Sequence, residues 1–305
     1  MVIFLMLCIY IIVMCIVSNF IIYLVKCAKE YREQKIKERI KILADNSIQL
    51  STDEFWNFKK VNKEFSGVYV IYNKNKGIYY IGQAKQILYR VNKHFLGRGN
   101  GDVYSDYKYG DEFTIKLLDL DTSGYDSLNE LEKDTILTFD SFNNGYNKTR
   151  GNVDGGRFSL FHPYGNVSYK SKYNKRQILA LVKKCAQGTL EEQFEVYSEI
   201  RRGLFGVNLE FPGIYIIHNK TKKLYYVSKF NKNIFDAINK QFTGKGNNDI
   251  YADYKHGNDI TIKTMSSGYN KYSTIEELIE AKKIEYSKIA DDYVKIKKRN
   301  NSLSR

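Results

Sequence analysis

Proline is almost missing, two in 305 residues, which excludes collagen-like and Pro-rich extended chains. Cysteine is scarce too. Cys8, Cys15, Cys27 and Cys185 have neither the spacing of a disulfide framework nor that of a zinc site. Cys8 and Cys15 lie in an apolar run, where a thiol acts as a small hydrophobe, so a reducing compartment is expected for the rest of the chain. Disorder is excluded by a hydrophobic content of 43%. Acid is short relative to base: 34 Asp and Glu face 48 Lys and Arg, a formal charge of +14. That excess favours an anionic partner, nucleic acid or an acidic membrane surface. Tyrosine (26) and phenylalanine (17) are plentiful, and Asn, Lys and Ile are common, a bias that suits AT-rich coding in a large DNA virus or a low-GC microbe.

Charge is absent altogether from Val2 to Val25, where only Ser18 and Asn19 are strongly polar. Twenty-four helical residues cover about 36 Å, more than a ~30 Å hydrocarbon core. A cleaved signal peptide needs basic residues before the run and small residues at a cleavage site; neither is present around Val25-Lys26-Cys27. Residues 2–25 are therefore expected to be a retained transmembrane anchor in the lipid bilayer. Lys26, Lys29, Arg32, Lys35, Lys37, Arg39 and Lys41 follow; the positive-inside rule puts them, and the bulk of the chain, on the cytoplasmic side. Interleaved Glu30, Glu33 and Glu38 make 26–48 a solvated helix, and Ser51 with Glu54 has capping-box spacing for a further short helix.

A repeat divides the remainder. Gly67 to Lys74 reads GVYVIYNK and Gly213 to Lys220 reads GIYIIHNK. Phe95 to Gly110 (FLGRGNGDVYSDYKYG) matches Phe242 to Gly257 (FTGKGNNDIYADYKHG), and Thr114-Ile115-Lys116 matches Thr261-Ile262-Lys263. Two copies of one domain are expected, joined by a Gly-rich loop and helices near 174–187 and 189–203. In the first copy, Val68 to Tyr72 and Ile78 to Ile81 read as a hairpin around Lys74-Asn75-Lys76-Gly77. Gln86 to Phe95 has helical spacing, Phe113 to Leu118 is a third strand and Ser127 to Phe142 a second helix.

Gly67-Val68-Tyr69, then ten residues, then Tyr80-Ile81-Gly82 resembles the signature of the GIY-YIG nuclease family. A literal GIYYIG at Gly77 to Gly82 is a decoy, because the family puts its two triplets on paired strands. Arg90 and, one helical turn later, His94 agree with the family, as do Glu132 and the Asn147 of Gly145-Tyr146-Asn147. Taken singly, Tyr69 and Tyr80 read as core strand tyrosines and Glu132 as a solvated helix residue; their joint order and spacing reverse that. The resemblance implies cleavage of phosphodiester bonds with one divalent metal, Mg²⁺ or Mn²⁺, for which Glu132 supplies the hard oxygen ligand. A tyrosine serves as base only where positive charge favours the phenolate. Tyr69 is favoured for that role, with Tyr80 orienting water or phosphate, Arg90 holding the developing phosphorane charge, His94 assisting proton transfer or touching phosphate, and Asn147 fixing the pocket. Gly67 and Gly82 are structural, relieving backbone crowding.

Aligned to the first copy, the second has Ala237 for Arg90, or Asp236 without a one-residue gap, Gln241 for His94, Ser228 for Gly82, Val294 for Asn147, and Ile279 or Glu280 for Glu132; Tyr215 and Tyr226 persist. It is expected to be silent. Residues 65–150 carry 11 bases and 11 acids, while 211–305 carry 18 and 10, so the basic repeat and linker suit tracking of a phosphate backbone; Lys295 to Arg299 form a basic tail. The expected fold class is α/β (α+β): a transmembrane helix followed by two small GIY-YIG-like domains, each a three-stranded, mostly antiparallel sheet flanked by helices. The expected division is anchor 1–25, helical stalk 26–64, nuclease-like domain 65–150, Gly-rich loop and helical linker 151–210, degenerate repeat 211–300 and tail 301–305. The implied activity is a membrane-anchored, metal-dependent endonuclease on DNA, with RNA left open. The alternatives are a catalytically silent nucleic-acid-binding or scaffold protein at the membrane, and a membrane-surface protein whose bases meet anionic lipid.

Overall fold

The computed structural model describes residues 2–152, 172–204, 211–269 and 272–287, without the side chains of 2, 3, 5–13, 269 and 287. Two compact units share the chain, one formed by 1–92 with 111–157 and the other by 93–110 with 158–305. In chain order the first stretch runs α1 (Val2–Asp45), β1 (Ile48–Ser51), α2 (Thr52–Val61), β2 (Gly67–Asn73), β3 (Ile78–Ala84), α3 (Ile87–Phe95), α4 (Gly101–Lys108), β4 (Phe113–Asp119), α5 (Leu120–Ser123) and α6 (Leu128–Phe139). The second runs α7 (Lys175–Ala186), β5 (Glu191–Glu192), α8 (Phe194–Gly203), β6 (Gly213–Asn219), β7 (Leu224–Phe230), α9 (Ile234–Gln241), α10 (Asn248–Lys255), β8 (Ile260–Ser266) and α11 (Ile275–Ser287).

The first unit is built on a fully antiparallel sheet in the order β1-β4-β2-β3. Three strands were expected; the fourth, β1, lies in the segment read as a stalk. An uncovered β4 would present a row of unpaired backbone groups, and β1 covers it in the register Ile48↔Leu117 to Ser51↔Thr114. Central β2 is apolar on both faces because both are buried. On one face Val68, Val70, Ile81 and Leu118 pack with Leu131 and Ile136 of α6 and Ile40 of α1. The end of α1 is thus core rather than solvated stalk. On the other face Tyr69, Ile71, Ile115 and Leu117 are buried, as are Ile87, Leu88 and Val91 of α3. The β2–β3 turn uses the left-handed conformation at Gly77 (φ +68°), and Asn73 Oδ1 accepts the Lys76 N–H at 3.0 Å. Ser51 and Glu54 form the expected capping box on α2.

The second unit repeats the plan. Its sheet has the order β5-β8-β6-β7, and the β6–β7 register Tyr215↔Ser228 reproduces Tyr69↔Gly82 of β2–β3. Within this unit α4, unforeseen from sequence, pairs with α10 through contacts that occur twice with the repeats exchanged. Tyr104 O–H donates to Asp249 at 2.8 Å, and Tyr251 O–H to Asp102 at 2.6 Å. Lys108 meets Asp249 and Asp253, and Lys255 meets Asp102 and Asp106. Tyr109 stacks on His256 with centroids 3.9 Å apart.

Among the described residues no helix is long and apolar enough to cross a membrane. The transmembrane expectation for 2–25 is therefore unsupported. Helix α1 runs unbroken for 44 residues. The Gly-rich stretch beyond Asn152, the basic tail and Val294 lie outside the described residues.

A phenol donating to a carboxylate contributes about 1.5–3 kcal/mol. Tyr104→Phe and Tyr251→Phe should each destabilise the second unit by that amount, and by similar amounts, in urea unfolding. Loss from only one of the two would contradict the reciprocal pairing.

Candidate active site

Tyr69 and Gly82 are directly opposite on β2 and β3. A Cβ on Gly82 would stand 2.3 Å from the Tyr69 hydroxyl, so glycine is what lets the Tyr69 ring lie across β3. Gly67 is held as tightly, since a Cβ there would be 2.2 Å from the Leu118 carbonyl oxygen. Tyr80 shares the face of Gly82 two residues away, and its ring lies 6.2 Å from that of Tyr69 at 46°. The literal GIYYIG is split between the turn and β3, whereas Gly67-Val68-Tyr69 and Tyr80-Ile81-Gly82 lie on paired strands.

Arg90 reaches this pair from α3. The first N–H groups of that helix are taken by Glu64, whose two carboxylate oxygens accept from Leu88 and Tyr89 at 2.9 and 2.8 Å, which also suits the helix dipole. The half-buried Arg90 guanidinium donates to both tyrosine hydroxyls. Burial raises the Tyr69 pKa well above its ordinary value, the neighbouring Tyr80 adds to this, and Arg90 works against it. Tyr80 is also raised by burial, but Arg90 and a hydrogen bond from Tyr69 lower it, while the Glu132 charge raises it. Burial opposes the Arg90 charge, yet the two phenols outweigh it and hold its pKa above the ordinary value. Tyr69 is 1% exposed; Tyr80 is half-buried and reachable.

Glu132 arrives on α6, against the opposite face of β3. Its Oε2 accepts from Gln83 Nε2 at 3.0 Å and from the Asn152 N–H at 3.2 Å. The sheet edge thus separates two clusters, Tyr69–Tyr80–Arg90 on one side and Glu132–Gln83 on the other, and Tyr80 feels the charge of both Arg90 and Glu132. Asn147 does not line this site. It clamps β3 instead: its Oδ1 accepts the Ile81 N–H and its Nδ2 donates to the Ile81 C=O, both at 2.8 Å. Tyr146 N–H donates to the Tyr79 carbonyl, and the Tyr146 hydroxyl accepts from Asn73 at 2.7 Å. Residues 145–147 therefore cover the free edge of β3 up to Ile81.

His94 is fully buried. Its Nδ1 accepts the Asn100 N–H at 2.8 Å, and a Cβ on Gly99 would come within 2.4 Å of that nitrogen. It organises the loop before α4 rather than presenting an imidazole to solvent. Gln241 does the same in the second repeat, accepting from Asn247 N–H at 2.7 Å and donating to the Tyr215 hydroxyl at 3.1 Å.

Residues 65–147 match the family described as the GIY-YIG catalytic domain. This stretch belongs to the GIY-YIG nuclease superfamily. No curated protein and no solved structure matches the chain. The match places the GIY-YIG domain in a nuclease family, whose members generally use divalent metal ions. Among the described residues no group of three or more His, Cys, Asp or Glu could hold a metal. A site with one carboxylate, Glu132, whose second oxygen accepts no hydrogen bond among the described residues, nevertheless fits a single hard cation completed by water and phosphate. Sequence reasoning missed Gln83 and Glu64. Gln83 had a signal, a polar residue immediately after Gly82; Glu64 had none, since it caps a helix more than twenty residues downstream.

Replacing Asn147 by Leu removes both hydrogen bonds to the β3 edge. Amide exchange at Ile81 should then accelerate by at least tenfold, the equivalent of about 1.4 kcal/mol. Unchanged protection would mean that β3 is held by other means.

Proposed function

We propose that the chain is a metal-dependent endonuclease that hydrolyses phosphodiester bonds in DNA. The observation that carries this reading is the Arg90 guanidinium bonded to two tyrosine hydroxyls, with Glu132 felt at the accessible one. The scissile phosphodiester lies over the end of β3 beyond Ile81, between the two clusters. Glu132 would hold Mg²⁺ or Mn²⁺, which when bound supplies Lewis-acid stabilisation of the phosphate. Arg90 binds the phosphate and takes up charge as it develops. Tyr80, not the sealed Tyr69, receives the proton of the attacking water, and Tyr69 holds Tyr80 by donating to its hydroxyl. Gly67, Gly82 and Asn147 position these groups.

The second repeat is read as non-catalytic. Ala237 stands where Arg90 would, and it is buried. Tyr215 and Tyr226 keep the same pairing, 6.2 Å apart at 45°, but the Tyr215 hydroxyl is bonded to Ser228, Gln241 and Tyr226, and burial pushes it up to about 12. These partners are internal, and no arginine stands among them. Its excess of bases suits a supporting grip on the phosphate backbone.

Attachment to a membrane, with the domains on the cytoplasmic side, is part of the proposal. It is supported by the uncharged run 2–25, the bases after it and the exposure of Ile16, Phe20, Ile21, Ile22, Tyr23, Leu24 and Val25. The full-length chain should sediment with membranes after alkaline carbonate and a variant lacking 2–25 should not; full release of both removes this part of the proposal.

Nicking of supercoiled DNA by the full chain should require Mg²⁺ or Mn²⁺ and stop with EDTA. Arg90→Ala should lose at least about 10²-fold, Tyr80→Phe about 10²–10⁴-fold, and Glu132→Ala all detectable activity. Wild-type nicking by Arg90→Ala and Glu132→Ala together overturns the reading; cleavage of RNA in place of DNA reassigns the substrate. Both phenols have pKa values raised above about 10, so the ionised base grows with pH. The rate should climb about one log unit per pH unit from 7 to 9, a slope lost in Tyr80→Phe.

A further inference from the structure

Glu132 is held asymmetrically. Both of its hydrogen bonds, from Gln83 Nε2 and from the Asn152 N–H, go to Oε2. Oε1 accepts none among the described residues and is not sealed from solvent. Gln83 is itself fixed, since the same Nε2 donates to Asn129 Oδ1 at 2.6 Å, one turn of α6 before Glu132. Asn152 is aimed by Gly151, which turns the chain through the left-handed region at φ +102°.

The second repeat is an internal control. β2–β3 and β6–β7 share a register, so Gln83, opposite Val68, corresponds to Lys229, opposite Ile214. There Ile279, buried with Ile214 and Ile216, takes the place of Glu132. Lys229 turns to Glu276, the counterpart of Asn129. Where the carboxylate is gone, the amide donor is gone as well.

We propose that Gln83 is a positioning residue for the metal. By occupying Oε2 together with the Asn152 N–H, it presents Glu132 Oε1 as a monodentate ligand to a divalent cation. A carboxylate held this way gives a hard cation one oxygen and leaves its remaining positions to water and phosphate. The proposal rests on the nuclease reading of the site, and goes beyond it in naming the residue that sets the carboxylate.

The test is Mn²⁺ binding to the full-length chain, read from the electron paramagnetic resonance signal of free Mn²⁺ without DNA. The wild type should bind one Mn²⁺. Gln83→Leu and Gln83→Asn, the second one methylene too short to reach Glu132, should weaken binding about 10–100-fold with a melting temperature close to wild type. Saturating Mn²⁺ should restore kcat with the KM for DNA unchanged, a rescue that a packing defect would not show. If Glu132→Gln abolishes binding while either folded Gln83 variant keeps wild-type affinity, the role of Gln83 is wrong and the site reading stands. If Glu132→Gln binds Mn²⁺ as the wild type does, the site reading itself fails.

Discussion

Tyr69 lies across Gly82 because no Cβ stands between the strands, and the arrangement of the site follows from that one contact. The ring is buried on the face that faces α3, so its hydroxyl needs partners in the protein interior. Tyr80, two residues from Gly82, and Arg90 supply them. The resulting triad is coupled: the guanidinium keeps its charge in a half-buried position because two phenol oxygens accept from it, and Arg90 lowers the pKa of both phenols against the effect of burial. Any side chain at position 82 would move the Tyr69 hydroxyl, and with it the partner that donates to Tyr80. Chemistry is thereby built into a strand register rather than into a flexible loop.

The two repeats show what happens when that contact is altered within the same fold. Strand order, register and tyrosine separation are retained in the second unit, yet Ser228 replaces glycine and bonds to Tyr215. Gln241 and Tyr226 complete the shell around that hydroxyl. With Ala237 in place of arginine and Ile279 in place of the acid, the second sheet keeps its core and loses its charges. A fold of this kind can hold its architecture through apolar packing alone, while function depends on a few polar positions at one sheet edge.

Much of this was readable in the chain. The hairpin, β4, α3 and α6 follow from periodicity and turn residues, and the spacing of Tyr69, Tyr80 and Arg90 picked out three residues that come together, while Glu132 lies on the other side of β3 with Gln83. Asn147 was recognised as important, but its clamp on Ile81 depends on where β3 has its free edge, which no local pattern reveals. The bases of 26–48 suggested a solvated stalk, whereas Ile36, Ile40 and Leu43 lie on the face that packs against the sheet. β1 escaped notice because four residues of mixed character form a strand only when an edge is available to pair with. α4 reads as a polar loop because its partners, Asp249 and Tyr251, are about 145 residues away in sequence. His94 looked catalytic by type and spacing; its burial assigns it to the loop instead.

The most direct measurement is a crystal structure of the full chain with Mn²⁺ and a phosphorothioate duplex that resists cleavage, using the anomalous signal of the metal. The account predicts one Mn²⁺ about 2.1 Å from Glu132 Oε1 and a single phosphate contacted by both the metal and Arg90, with the Tyr80 hydroxyl beside it. A metal bound away from Glu132, or a duplex whose backbone leaves Arg90 untouched, would contradict it.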